Sequence, residues 1–219
     1  MRGVRIACLG VLLAASPRWL AQAADGGAPH GPAAAQVSVC FVPEQSCSAD
    51  VTDAIAAATS FIRIQAYGLT SPAILRALAN ARARGVDVQA VLDKSDERDH
   101  GRKVTGARFL VEANIPTWID DSVAIAHNKV IIIDGHLVIG GSYNYTAAAE
   151  HKNAENVTFI DAPVVADFYL LNWEARKAVS RPSRFEPDPA DDGPHAVAST
   201  PAGRSAGVSA GQGVEPDIR

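Results

Sequence analysis

A histidine and a lysine two residues apart open the run HNKVIIIDGHLVIGGSYN, which extends from His127 to Asn144. Side chains on a strand alternate between its faces, so His127 and Lys129 point to one side and Asn128 to the other. Two groups able to carry positive charge therefore converge on one spot. Imidazole titrates near neutral pH and serves as nucleophile or proton donor, while an ammonium group holds anionic oxygens. Ser142 and Asn144 add hydrogen-bonding groups at the far end of the same segment.

The elements that must position these groups follow from local pattern. Val130 to Ile133 is β-branched throughout, Asp134-Gly135 is a favoured two-residue turn, and Leu137 to Ile139 should pair back as the second hairpin strand. Upstream, Val37 to Phe41 reads as a strand and Asp50 to Thr59 as a helix. Phe61 to Tyr67 is a strand, a helix begins at Ser71-Pro72 and stops at Gly85, and Val86 to Leu92 is a third strand. A charged stretch, Asp93 to Lys103, reads as a solvated connection or as a flexible basic edge of a binding cleft. A helix near Val104 to Ala113, a strand at Pro116 to Ile119, and a strand at Glu155 to Ile160 complete the sheet. Asp161 can cap a closing helix whose apolar periodicity runs across Val164, Phe168, Leu171 and Ala175. This order predicts an α/β domain, a layered α/β/α sandwich around a central mixed sheet.

The 219 residues suit one domain of ordinary size. Arg2 and Arg5, the apolar run Ile6 to Ala15, and Ala21-Gln22-Ala23 form an export-signal pattern whose apolar part is too short to span a bilayer. The expected organisation is a signal peptide over 1–23, a flexible lead-in over 24–35, a catalytic domain over 36–184 and a disordered tail over 185–219. The mature protein is then expected in the periplasm or the medium, with no stable membrane span. There, Cys40 and Cys47 are close enough to close a small disulfide loop, with two buried free thiols as the alternative. The formal net charge of −4 does not advertise nucleic-acid binding, but Glu186, Asp188, Asp191, Asp192, Glu215 and Asp217 place much of the acidity in the tail.

The pattern His127-x-Lys129, Asp134, Gly141-Ser142-x-Asn144 resembles the signature of the phospholipase D superfamily. The segments VCFVPEQSC, IRIQAYGLTSPAILRAL, RGVDVQAVLDKS and EHKNAENVTFI are similar to the small bacterial endonuclease branch, which carries one such motif per chain. The resemblance implies a metal-independent phosphodiesterase without a cofactor. A diester is a stable anion, so its oxygens must be neutralised, a nucleophile supplied and a leaving oxygen protonated. One histidine cannot comfortably do both jobs at once. A homodimer with the site on its two-fold axis would supply the second.

On this reading His127, Lys129, Asp134 and Glu155 are the catalytic candidates, and Lys129, Ser142 and Asn144 hold the substrate. Glu155 matches the family acid that orients histidine. Asp134 enters through the motif, yet its place in the turn favours an indirect role in fixing the hairpin. Lys129 would repel a metal ion and no carboxylate cluster stands beside it in sequence, so no metal is expected. His100, His136, His151 and His195 are expected surface residues, and Trp118 and Trp173 core or interface aromatics. The expected substrate is DNA or RNA. A phospholipid is the alternative, and a non-catalytic nucleic-acid-binding scaffold is the reading from another class.

Overall fold

The computed structural model describes residues 35–98 and 105–186. The expected signal peptide, nearly all of the lead-in, His100, Lys103 and the tail from residue 187, with His195, lie outside the described residues. The chain forms β1 (Gln36–Val42), α1 (Cys47–Ala57), β2 (Phe61–Ala66), α2 (Pro72–Ala83), β3 (Asp87–Asp93) and α3 (Gly106–Glu112). It continues with β4 (Thr117–Asp120), β5 (Lys129–Ile133), β6 (Leu137–Gly141), α4 (Ala147–Lys152), β7 (Glu155–Asp161), α5 (Pro163–Ala178) and the short β8 (Arg181–Pro182).

All eight strands join one sheet in the order β1-β7-β6-β5-β2-β3-β4-β8. The β2-β3-β4 part is parallel, because helical crossovers link those strands, and the β5-β6-β7-β1 part is antiparallel. The expected mixed-sheet sandwich is thus observed. Val51 and Ile55 of α1, Ile74 and Leu78 of α2 and Leu110 of α3 join Ile62, Ile64, Ile131 and Ile139 in the larger core. On the other face Trp173 and Ala166 of α5 pack over Val91, Val130, Ile132 and Val138.

The hairpin turn has positive φ at both central residues, 51° at Asp134 and 71° at Gly135, which matches the twist of the flanking strands. Cys40 and Cys47 form the expected disulfide, joining β1 to the start of α1 across a Cα–Cα distance of 5.7 Å. Among the described residues no helix is long and apolar enough to cross a membrane.

Four expectations need correction. Val164, Phe168 and Leu171 face outward, each about two-thirds exposed. Helix α5 carries two apolar stripes, and the sheet takes the one with Ala166 and Trp173, where the indole N–H donates to Ile64 O at 2.9 Å. Asp161 ends β7 and pairs with His136, while Ala162 holds the N-cap position and Pro163 the first turn of α5. The charged stretch after β3 is neither solvated nor a basic edge at its start, because Asp93, Asp96 and Glu97 are buried. Glu97 accepts from Arg181, Ser183 and the Arg184 N–H, pinning the strand-β8 segment. Phe185, placed by sequence in the tail, packs against the core.

Candidate active site

His127 lies two residues ahead of Lys129, which begins β5, at the sheet end where β2 and β3 finish and β7 starts. Both side chains meet Tyr67, the residue after β2. The Tyr67 and His127 rings lie 4.7 Å apart at 59°, and Lys129 Nζ sits 5.3 Å from the Tyr67 centroid. The convergence expected from strand alternation is therefore realised on an aromatic side chain that the sequence reading passed over. Its signal was its position: Tyr67 closes a strand, Phe61 to Ala66, that pairs directly with β5.

Lys129 is buried and donates to the His127 carbonyl at 2.9 Å. Burial pulls its pKa below the ordinary lysine value, opposed by the charge of nearby Glu155. Glu155 accepts from Ser142 Oγ at 2.5 Å and from Asn153 Nδ2 at 2.8 Å. Within the chain it therefore holds Ser142 and Asn153 rather than His127. The hydroxyl of Ser142 is engaged twice, since it also accepts the Asn156 N–H at 3.1 Å. Ser142 thus steadies Glu155, and its expected direct bond to substrate would require giving up that contact.

Gly141 makes this crossing possible. Its φ is 148°, and a Cβ there would lie 2.3 Å from the Asn156 carbonyl oxygen. Asn144 follows beside Gly68, and its amide oxygen is buried with no hydrogen-bond partner among the described residues. Asn128, between the histidine and the lysine, donates to Gln65 Oε1 at 2.9 Å, and the Gln65 amide donates in turn to Asn172 of α5 at 3.2 Å.

Asp134 does not join the others. It lies at the opposite end of β5, a strand of five residues, so about 15 Å of extended chain separates it from Lys129. Its carboxylate accepts from Thr59 N, Thr59 Oγ1, Ser60 N and Phe61 N at 2.8–2.9 Å. The motif's aspartate is here a clamp between the hairpin turn and the start of β2.

A groove of about 380 Å³ runs from His127 and Lys129 along the α5 face of the sheet, past Gly140 and Thr158 to Ile160 and Tyr169. The groups at its head can supply a nucleophilic imidazole and cationic stabilisation of an anion. Among the described residues no group of three or more His, Cys, Asp or Glu side chains is arranged to hold a metal ion.

Comparison with known proteins places this arrangement. Residues 51–173 match the family model described as cardiolipin synthase, PLD-like domain. A protein named phospholipase D from Rickettsia bellii (strain RML369-C) is 46% identical over 143 residues, 65% of this chain and 70% of that protein. The crystal structure of a phospholipase D family member, Nuc from Salmonella typhimurium, is 38% identical with a TM-score of 0.63, covering 68% of this chain and 99% of that one. A mitochondrial cardiolipin hydrolase from Canis lupus familiaris is 27% identical over 163 residues, 74% of this chain and 62% of that protein. With the site at the sheet end and the similarity spanning most of the described chain, this protein belongs to the phospholipase D superfamily and is a phosphodiesterase of that hydrolase family.

Proposed function

We propose that the protein is an exported, metal-independent endonuclease acting with little sequence preference through a phosphohistidine intermediate. The observation that carries the reading is the joint packing of His127 and Lys129 on Tyr67 at the head of an open groove. His127 attacks phosphorus, so an N–P bond forms as the P–O bond to the leaving group breaks. His127 of the partner subunit protonates that leaving oxygen. Water then gives a proton to the same partner histidine and attacks phosphorus, releasing His127. Lys129 and Asn144 hold the non-bridging oxygens.

Three observations support the dimer and export. Val164, Phe168 and Leu171 leave an apolar stripe on α5 uncovered. Val37, Val39 and Phe41 of β1 are exposed on the same side of the sheet, because Val37 pairs with Ile160 and Ile160 with Val138 beneath α5. A second copy covering both stripes would bring two grooves together. The Cys40–Cys47 disulfide fits an oxidising compartment.

A second reading, hydrolysis of phospholipids, is favoured by the name of the rickettsial relative and by exposed Val123 and Ile125 just before His127. The deciding experiment compares mature protein and His127→Ala on plasmid DNA and on phosphatidylcholine vesicles, all in EDTA. DNA cleavage lost in the variant supports the nuclease. Turnover of lipid alone moves the assignment to phospholipase D, and activity on neither overturns both.

A further inference from the structure

Tyr67 has no part in the phosphoryl-transfer steps, although it touches both His127 and Lys129. Its backbone N–H donates to Asn128 O at 2.9 Å, adding one bond beyond the β2-β5 ladder between His127 and Lys129. Its side chain is half-buried and stands outside the two cores. Its hydroxyl makes no hydrogen bond among the described residues.

We propose that Tyr67 is the positioning residue of the site, its ring face holding the Lys129 ammonium and its flank fixing the His127 imidazole. This rests on the catalytic reading of those two residues. The groups around Lys129 come from three elements: the carboxylate of Glu155 from β7, the His127 carbonyl from its own segment, and the ring of Tyr67 from the end of β2. A buried ammonium needs compensation. A carboxylate in hydrogen-bond contact would supply it but would also occupy the donors and repel an anionic diester. An aromatic face attracts the cation through its quadrupole and brings no formal charge to the place the phosphate must enter. Among the described residues only one ammonium bond is spent, to the His127 carbonyl. The remaining donors stay available to the substrate.

The geometry also fixes the imidazole. The tilted contact at 4.7 Å limits rotation of His127 without hydrogen-bonding either ring nitrogen. Both nitrogens are then left for phosphorus and for a proton acceptor. Small errors in the line of attack are costly, so a ring that sets this line acts chiefly on turnover.

The test uses full-length mature protein and bis(4-nitrophenyl) phosphate, with Tyr67→Phe, Tyr67→Leu and a series of increasingly fluorinated phenylalanines at position 67. Phenylalanine should retain kcat to within about twofold, because the hydroxyl is not used. Leucine should lower kcat by about tenfold or more with a smaller change in KM. The alkaline limb of the leucine variant's pH profile should move down by about half a unit, as the ammonium loses its aromatic partner. Along the fluorinated series kcat should fall stepwise, since size is kept while the negative face is drained. A flat fluorinated series, a leucine variant as fast as the parent, or a slow leucine variant with an unmoved alkaline limb would each overturn the assignment. A parent inactive on diesters would instead overturn the catalytic reading beneath it.

Discussion

The carboxylate of Asp93, at the end of β3, accepts the backbone N–H of Ala126 at 2.8 Å, one residue before His127. Its other oxygen accepts Ser95 N at 2.8 Å, and neighbouring Lys94 donates to the Val123 carbonyl at 2.9 Å. Ser122 is held in turn by Asp120 and Arg176. The connection that delivers His127 to the groove is thus fastened along its length by β3, β4 and α5.

Asp93→Asn should therefore slow the enzyme without emptying the site. An asparagine has one acceptor oxygen, so its NH₂ must face either Ser95 N or Ala126 N, at a cost of about 1–3 kcal/mol. The expected result is kcat reduced by about tenfold, with KM moving less. Burial works against ionisation of Asp93, but the bonds from Ser95 and Ala126 and the Lys94 charge outweigh it and hold the carboxyl below its usual value. Its stabilisation is present above the unfolded carboxylate pKa and fades as pH falls through the lower folded one. Steady-state kinetics and melting curves check this; an unchanged kcat in a folded Asp93→Asn protein counts against the clamp.

Asp134→Ala should behave oppositely. Four donors, Thr59 N, Thr59 Oγ1, Ser60 N and Phe61 N, would lose their acceptor, costing about 2–3 kcal/mol of stability. Burial raises the Asp134 pKa, yet these bonds lower it overall, so the deficit should shrink as acid protonates the parent's carboxylate. Turnover per folded molecule should match the parent. Urea unfolding across pH with active-site titration separates the two effects, and a loss of turnover greater than the loss of folded protein would return Asp134 to the chemistry.

That pair shows what the sequence exposes and what it hides. The hairpin and its DG turn were legible because β-branched runs and turn residues act locally, and His127 with Lys129 followed from the period of two. Asp134 was ambiguous because one linear motif mixes two ends of a strand. Tyr67 was missed because its neighbours come from β5, over sixty residues on. Periodicity does not distinguish the two stripes of α5, because Val164, Phe168 and Leu171 have the same helical spacing as the buried set. The sheet selects between them through the small Ala166 and the Trp173 bond to Ile64, which no local pattern contains.

The uncovered stripe makes its own prediction. Phe168→Glu replaces a two-thirds exposed side chain and should leave monomer stability within about 0.5 kcal/mol of the parent. If two copies meet across α5, the charge must be buried against its symmetry mate, and like-charge repulsion with desolvation should drive the protein to monomers. Activity should disappear with the dimer, because each site then lacks its second histidine. Sedimentation and diesterase assays on the same sample decide it. A monomeric variant with full activity would mean that one His127 suffices.

Asp96 should erode stability as pH rises from acid to neutral. It is buried within the short turn that Asp93 caps, and its Oδ2 has no partner among the described residues. Burial pushes its carboxyl up to about 7, the Gly106 N–H opposes this, and the charge of Asp93 adds to it. The folded pKa is above the unfolded one, so the unfolded chain releases its proton first as pH rises. Stability attributable to this group is therefore greatest near and below the unfolded value, declines between about pH 4 and pH 7, and is level above that. Asp96→Asn keeps the shape and removes the buried charge. It should stabilise the protein on the order of 2 kcal/mol near pH 8, with the gain vanishing near pH 4. Urea unfolding of parent and variant at both ends gives the difference directly. A gain of equal size at both would assign it to packing rather than to the charge.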